Sequence, residues 1–122
     1  MQYMLLIYND EQRWASVSEQ ERNAIIREYF ALTDGLREQG SYIAGAPLQP
    51  TTTATTVRVR DDEQVVTDGP FAETKEQLGG YFLIEVDSLD EALEWAAKVP
   101  ASRYGSVEVR AVAPIPAEVP AG

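Results

Sequence analysis

A chain of 122 residues, 44% hydrophobic and 25% charged, has the make-up of one ordinary globular domain, able to bury roughly two-thirds of its unfolded surface. Twenty acids against ten bases leave a net charge of −10, which repels phosphate backbones and anionic membranes and argues against nucleic-acid or membrane partners. There is no Cys and no His, which removes disulfides, thiolate nucleophiles, imidazole bases and the His- or Cys-ligated metals. Acid–base chemistry would then fall to Asp, Glu, Lys or Tyr, tuned by burial or by neighbouring charges.

In chain order, Tyr3–Tyr8 is apolar on both alternating faces and predicts a central strand buried on two sides. Its apolar start is too short for a signal peptide or a membrane span, so a cytoplasmic protein is expected. Asn9–Val17 reads as a polar loop holding Trp14. Ser18 and Glu21 form a capping-box pattern, followed by Ile25, Ile26, Tyr29, Phe30, Leu32, Thr33 and Leu36 at helical spacing, with Gly40 as the stop.

Tyr42–Ala46 reads as a short strand closed by Pro47 and Pro50. Thr55–Arg60 alternates, turns at Asp61-Asp62-Glu63 and returns through Val65-Val66 as a hairpin. The acidic triplet is read as a solvated turn and not as a metal site, because ligating a cation needs oxygens that converge. Tyr81–Val86 is a second strand apolar on nearly every position. Ser88 and Glu91 repeat the capping pattern ahead of a helix through Leu89, Ala92, Leu93 and Ala96 that stops at Pro100, and Val107–Val112 alternates as a last strand. Residues 1–113 are expected to form the domain and 114–122, with Pro114, Pro116 and Pro120, a loose extended tail.

This order gives an α+β, ferredoxin-like βαββαβ plan with an inserted β-hairpin. Two helices cover one face of a four-stranded sheet, yet two of its strands look apolar on both faces. A second copy of the sheet would cover the remaining face, so a homodimer closed as an α+β barrel is expected.

The stretch Thr67–Gly80 lies between two strand-like runs and is expected to be an ordered loop, anchored by Phe71 and Leu78. Pro70 is expected to hold Gly69 extended and to keep Asp68 away from any regular ladder, at the mouth of a cleft. A carboxylate beside Phe71 can be raised by desolvation into a general base, or can simply bond backbone amides in a turn. Lys75 can meet an anionic ligand or pair with Glu73 or Glu76. Tyr8, Trp14, Tyr42 and Tyr104 can stack on a ligand or serve the core.

Asp68-Gly69-Pro70-Phe71, Glu73-Thr74-Lys75-Glu76, Gly79-Gly80-Tyr81 and Gly105-Ser106-Val107-Glu108-Val109-Arg110, in this order, resemble the YCII-related, or DGPF-domain, family. The resemblance runs from about Met1 to Val112 and includes Tyr3–Tyr8, Ala54–Arg58 and Leu89–Ala92. It implies a dimeric α+β barrel and a cleft near the dimer interface, where related members are thought to use an Asp–His pair. It also links the chain distantly to muconolactone isomerases and small monooxygenases, and to neighbourhoods of extracytoplasmic-function sigma factors. Tyr104 stands here where members often have His, and Ala46 where many have Glu.

The resulting expectation is a cleft near Asp68 that binds a small organic molecule, with a regulatory role, or alternatively a proton-transfer enzyme of isomerase or lyase type. Asp68 would be the base and Tyr104 or Lys75 its partner. Phe71, Lys75, Tyr8 and Tyr42 would contact the ligand. No cofactor and no metal are expected.

Overall fold

The computed structural model of the chain describes residues 1–122. Six strands and three α-helices follow in the order β1 (Gln2–Asn9), α1 (Glu11–Ser16), α2 (Glu19–Glu38), β2 (Tyr42–Pro47), β3 (Thr55–Arg60), β4 (Glu63–Asp68), β5 (Gln77–Glu85), α3 (Leu89–Lys98) and β6 (Ser106–Ala111). The main sheet has the order β2-β5-β1-β6 with every neighbouring pair antiparallel. That is the ferredoxin-like plan. The strands β3 and β4 form a separate two-stranded sheet.

The helices cover one face of the main sheet. On β1 the side chains of Tyr3, Leu5 and Ile7 are buried, and across the β1–β5 ladder they meet Ile84, Phe82 and Gly80. From α2 come Leu32 and Leu36, and from α3 Ala92 and Ala96, to close this core with Val99 and Ala101. The alternate residues Met4, Leu6 and Tyr8 of β1, with Tyr81 and Leu83 of β5, are only half-buried on the other face. The strands that look apolar on both sides are thus covered by their own chain on one.

Both helix starts predicted from Ser-x-x-Glu exist, each with half of the reciprocal pair. Ser18 Oγ accepts from the Glu21 amide at 3.1 Å and Ser88 Oγ from the Glu91 amide at 3.2 Å. The Glu91 carboxylate bonds the Asp87 amide instead of that of Ser88. At the other end of α2 the Gly40 amide donates to Arg37 and the Ser41 amide to Leu36, with Gly40 at φ +70°. This is a Schellman stop, which needs a left-handed residue and finds it in glycine.

Several boundaries differ from the sequence expectation. The segment expected as a polar loop at Asn9–Val17 contains α1, started by Asp10, whose Oδ1 accepts from the Gln12 amide at 2.9 Å. Six residues are too few to show a periodic stripe, so the cap was the only signal. Strand β4 runs on to Asp68 and β5 begins at Gln77, which shortens the loop between them to Gly69–Glu76. The hairpin turns on Asp61 and Asp62 alone, both at positive φ, while Glu63 already pairs with Arg60. That is a two-residue turn with the twist a hairpin prefers.

Candidate functional site

Helix α2 is apolar over a wider arc than the core needs. Ile25, Leu32 and Leu36 enter the core, whereas Ile26 is partly exposed and Phe30 is 66% exposed. Tyr29 lies between the two sets and stacks on Phe82 with ring centroids 6.4 Å apart. This second set faces a cavity of about 420 Å³ between α2 and the β2–β5 side of the sheet. Its size is within the range of about 300–1,000 Å³ usual for small-molecule pockets.

Each wall of the cavity has a distinct source. Helix α2 contributes Ile26, Tyr29, Phe30 and Thr33, and the β2 end contributes Tyr42, Ala46, Pro47 and Leu48. Strand β5 supplies Gly79, Gly80, Tyr81 and Phe82, while Asn9, Glu11, Trp14 and Tyr104 close the end where β1 meets α1. Trp14, Tyr29, Phe30, Tyr42, Phe82 and Tyr104 bring aromatic rings to the lining. No Lys or Arg is part of it.

Helix α1 is fastened by polar contacts that use up its charged cavity residue. The Glu11 carboxylate accepts from the Thr51 amide at 2.7 Å and from the Thr51 hydroxyl at 2.8 Å, and the Glu11 amide donates to Gln77 at 3.0 Å. Arg22 donates to the Trp14 carbonyl at 3.3 Å. By contrast, the Asn9 side-chain amide has no partner within the chain, which leaves its two N–H donors and its carbonyl acceptor available at the cavity wall.

Tyr104 reaches this wall because Gly105 follows it. A Cβ at Gly105 would overlap the Tyr8 carbonyl oxygen and press on Asn9, so only glycine lets the chain pass this close to the end of β1. The glycine of the Gly105-Ser106-Val107 run therefore places Tyr104 next to Asn9.

The two phenols here are held in their neutral form. Burial pushes Tyr29 up from 10.0 to about 12, with the nearby Tyr104 adding to the effect and the Ala101 backbone opposing it. Burial also raises Tyr104, against the pull of Arg13 and Arg103. Neither phenol is activated as a base near neutral pH; both are hydrogen-bond donors and acceptors.

A family model described as the YCII-related domain matches residues 1–116. The chain belongs to the YCII-related family. An uncharacterised protein of Rhizobium meliloti (strain 1021) is 44% identical over 115 residues, which is 93% of each chain.

In this YCII-related chain the residues singled out from sequence fall in three places. Tyr42 and Tyr104, with Trp14, line the cavity. Tyr8 does not; it sits on the open face of the sheet, paired with Leu78 and Ser106. Asp68, Phe71 and Lys75 lie beyond the cavity at the base of the β3–β4 hairpin and in the loop after it.

Asp68 is not kept off the ladder as expected. It pairs with Thr55 as the last residue of β4, is exposed, and its carboxylate accepts no hydrogen bond, neither from a turn amide nor from any other group. Gly69 has φ +99° instead of the extended value expected before Pro70, because without a Cβ it escapes the clash that restricts other residues there. Phe71, expected as an anchor, is 80% exposed. The loop is tied by backbone and polar side chains instead. The Gly69 amide donates to Ala54 at 2.7 Å, and the Ser106 hydroxyl donates to Glu76 at 2.8 Å. Lys75 makes no ion pair with Glu73, Glu76 or any other acid.

Sequence reasoning assigned no ligand role to Asn9, Tyr29, Phe30, Thr33 and Phe82. The available signal was the width of the α2 stripe: Ile26, Phe30 and Thr33 flank the Ile25–Leu32–Leu36 line and exceed what one sheet face can bury. No His, Cys, Asp and Glu residues gather into a group that could hold a metal ion.

Proposed function

We propose that this YCII-related protein is a cytoplasmic homodimer that binds a small organic molecule in the cavity between α2 and the β2–β5 edge, with a regulatory role. The observation that carries this reading is the cavity itself, a concave site of about 420 Å³ with aromatic walls and a few polar groups, which is the usual make-up of a ligand pocket. No helix is long and apolar enough to cross a membrane. Screening small molecules by thermal shift tests the reading, since a ligand that binds only the folded chain raises its melting temperature. A compound that stabilises the protein should lose that effect when Phe30 is replaced by Ala. Stabilisation indifferent to Phe30 and Tyr29 would refute the site.

The homodimer is supported by the uncovered apolar surface. Met4, Leu6, Tyr8, Tyr81 and Leu83 share the open face of the main sheet. The hairpin β3–β4 leaves Val57, Val59 and Val66 exposed on one face and Val65 on the other beside Arg58, and Phe71 follows it. A lone two-stranded hairpin is only marginally stable in water, and contiguous apolar surface of this kind marks an interaction site. A second copy of the same chain offers a complementary sheet face.

A proton-transfer enzyme is the second reading. Two features favour it: the Tyr104 phenol at the cavity wall, and the Asp68 carboxylate, free of any hydrogen bond at the base of the hairpin that a second copy would cover. In that reading the base comes from the interface and not from within one cavity. Loss of turnover in Asp68→Asn and in Tyr104→Phe, with dimer and melting temperature retained, would favour it over simple binding.

A further inference from the structure

Three of the aromatic rings that line the cavity already have a guanidinium against them. The Arg13 Cζ lies 4.1 Å from the centroid of Tyr104, Arg37 Cζ 4.7 Å from Tyr42, and Arg22 Cζ 5.4 Å from Trp14. None of these arginines lines the cavity itself. The three positive charges thus reach these rings from outside the cavity lining.

This arrangement selects against both signs of ligand charge, for different reasons. A cation would normally be drawn to an aromatic cage by the negative ring face. Here each of the three rings already has its own arginine against it, and these three positive charges oppose a further cation and outnumber the single Glu11 carboxylate that would attract one. An anion would need a donor of positive charge in contact with it. No Lys or Arg lines the cavity, and the one charged group that does, Glu11, is a carboxylate already satisfied by Thr51. Transferring an unpaired ion into an apolar site costs far more than transferring a neutral molecule of the same size. The net charge of −10 adds a long-range term against anions; toward a cation it acts the other way, so cation exclusion rests on the three arginines at the rings.

We infer that the ligand of this cavity is an uncharged, flat aromatic molecule, stacked between the α2 rings and the arginine-backed rings and hydrogen-bonded at one end to the Asn9 amide. The inference deepens the ligand-binding reading above and rests on it. Rings polarised by a cation on one face stack well on a further neutral arene at the other, and offset or edge contacts suit the apolar remainder. Asn9 supplies a donor and an acceptor without a partner in the chain, so it suits a ligand with one hydroxyl or ring N–H and little else that is polar.

Three naphthalene probes of matched shape test this by calorimetry on the full chain: neutral 2-naphthol, anionic 2-naphthoate and cationic 2-naphthylmethylammonium. The expected order puts 2-naphthol about tenfold or more tighter than either ion, since even one unpaired charge at an apolar wall costs that much. Thr33→Lys, which brings an ammonium to the cavity side of α2, should weaken 2-naphthol and raise the affinity for 2-naphthoate. The double variant Arg13→Gln with Arg37→Gln should narrow the gap between 2-naphthol and the ammonium probe by relieving the charge behind Tyr104 and Tyr42. Circular dichroism on both variants confirms that they fold, and wild-type ranking stands as the measurement independent of them. Equal or tighter binding of either ion to the wild type would overturn the ligand class while leaving the pocket in place. Failure of all three probes to bind would overturn the class and the pocket together.

Discussion

The guanidinium of Arg13 on α1 packs 4.1 Å from the ring centroid of Tyr104, two residues before β6. The contact joins the first connection of the chain to its last and closes the cavity end between them. Both partners sit beside backbone features that fix them, the Asp10 cap of α1 and the close passage of Gly105 past Tyr8. Arg13→Ala should cost stability of about 0.5–1 kcal/mol, the worth of a partly exposed cation–π pair, and should loosen the Tyr104 ring without unfolding the sheet. Chemical denaturation of Arg13→Ala, Tyr104→Leu and the double variant measures the coupling; additive effects would mean that the contact contributes nothing.

Gly105→Ala should destabilise the protein by about 1–3 kcal/mol, the usual cost of forcing extra volume into a packed place, because the new Cβ meets the Tyr8 backbone, which cannot swing aside. Gly69→Ala also strains a positive φ, but there a Cβ meets nothing within 4 Å. Its effect should come from backbone conformation alone, at about 1–2 kcal/mol. Urea titrations of the two variants measure both losses; Asn9→Ala should relieve neither, since a Cβ at Gly105 meets the Tyr8 carbonyl oxygen and the Cα and Cβ of Asn9, which alanine keeps.

Asp68→Ala should change stability by no more than about 0.5 kcal/mol, since the side chain is exposed and no hydrogen bond reaches it. A larger loss in the thermal melt would point to a contact made only in the assembled protein. Comparing the variant's melting temperature above and below the dissociation range of the proposed dimer locates that contact.

Alkaline pH should weaken the fold through Tyr29. Its folded value of about 12 exceeds the ordinary 10.0, so the folded state holds a proton that the unfolded state releases first. The stability linked to this group is complete below pH 10 and is lost as pH rises through about 12. Tyr29→Phe removes the titrating group, and its melting temperature should fall less steeply with pH across that window than the wild type's. Parallel slopes would show that another group dominates.

Leu83→Glu or Leu6→Glu, placed on the open sheet face, should convert the proposed dimer into a folded monomer of 13.5 kDa by light scattering. A stable interface of this kind buries at least about 1,000 Å² with an apolar centre, and a charge at that centre lacks a partner. A wild type that scatters as 13.5 kDa at all concentrations removes the dimer from the proposal.

Local signals in the sequence determined most of the fold. Strand β3 appears at Thr55–Arg60 as its alternation indicates, and Gly40 stops α2 where expected. Ser18 and Ser88 begin their helices, because these features depend on neighbours a few residues away and on period alone. The motifs that resemble the YCII-related family were legible for the same reason. The site was legible only in part. Tyr42 and Tyr104 are cavity residues, but the cavity is assembled from residues between Ile7 and Tyr104, which meet only after β5 inserts between β2 and β1. Phe71 looked like an anchor because apolarity in a loop says nothing about which surface it meets, and within one chain it meets little. Asn9 carried no signal at all; what sets it apart is that folding brings Gly79, Gly105 and Tyr104 around it without giving its amide a partner. Sequence order fixes local hydrogen bonds and the apolar period, whereas which side chains remain unpartnered beside a cavity is a property of contacts between distant segments, and only the tertiary structure decides it.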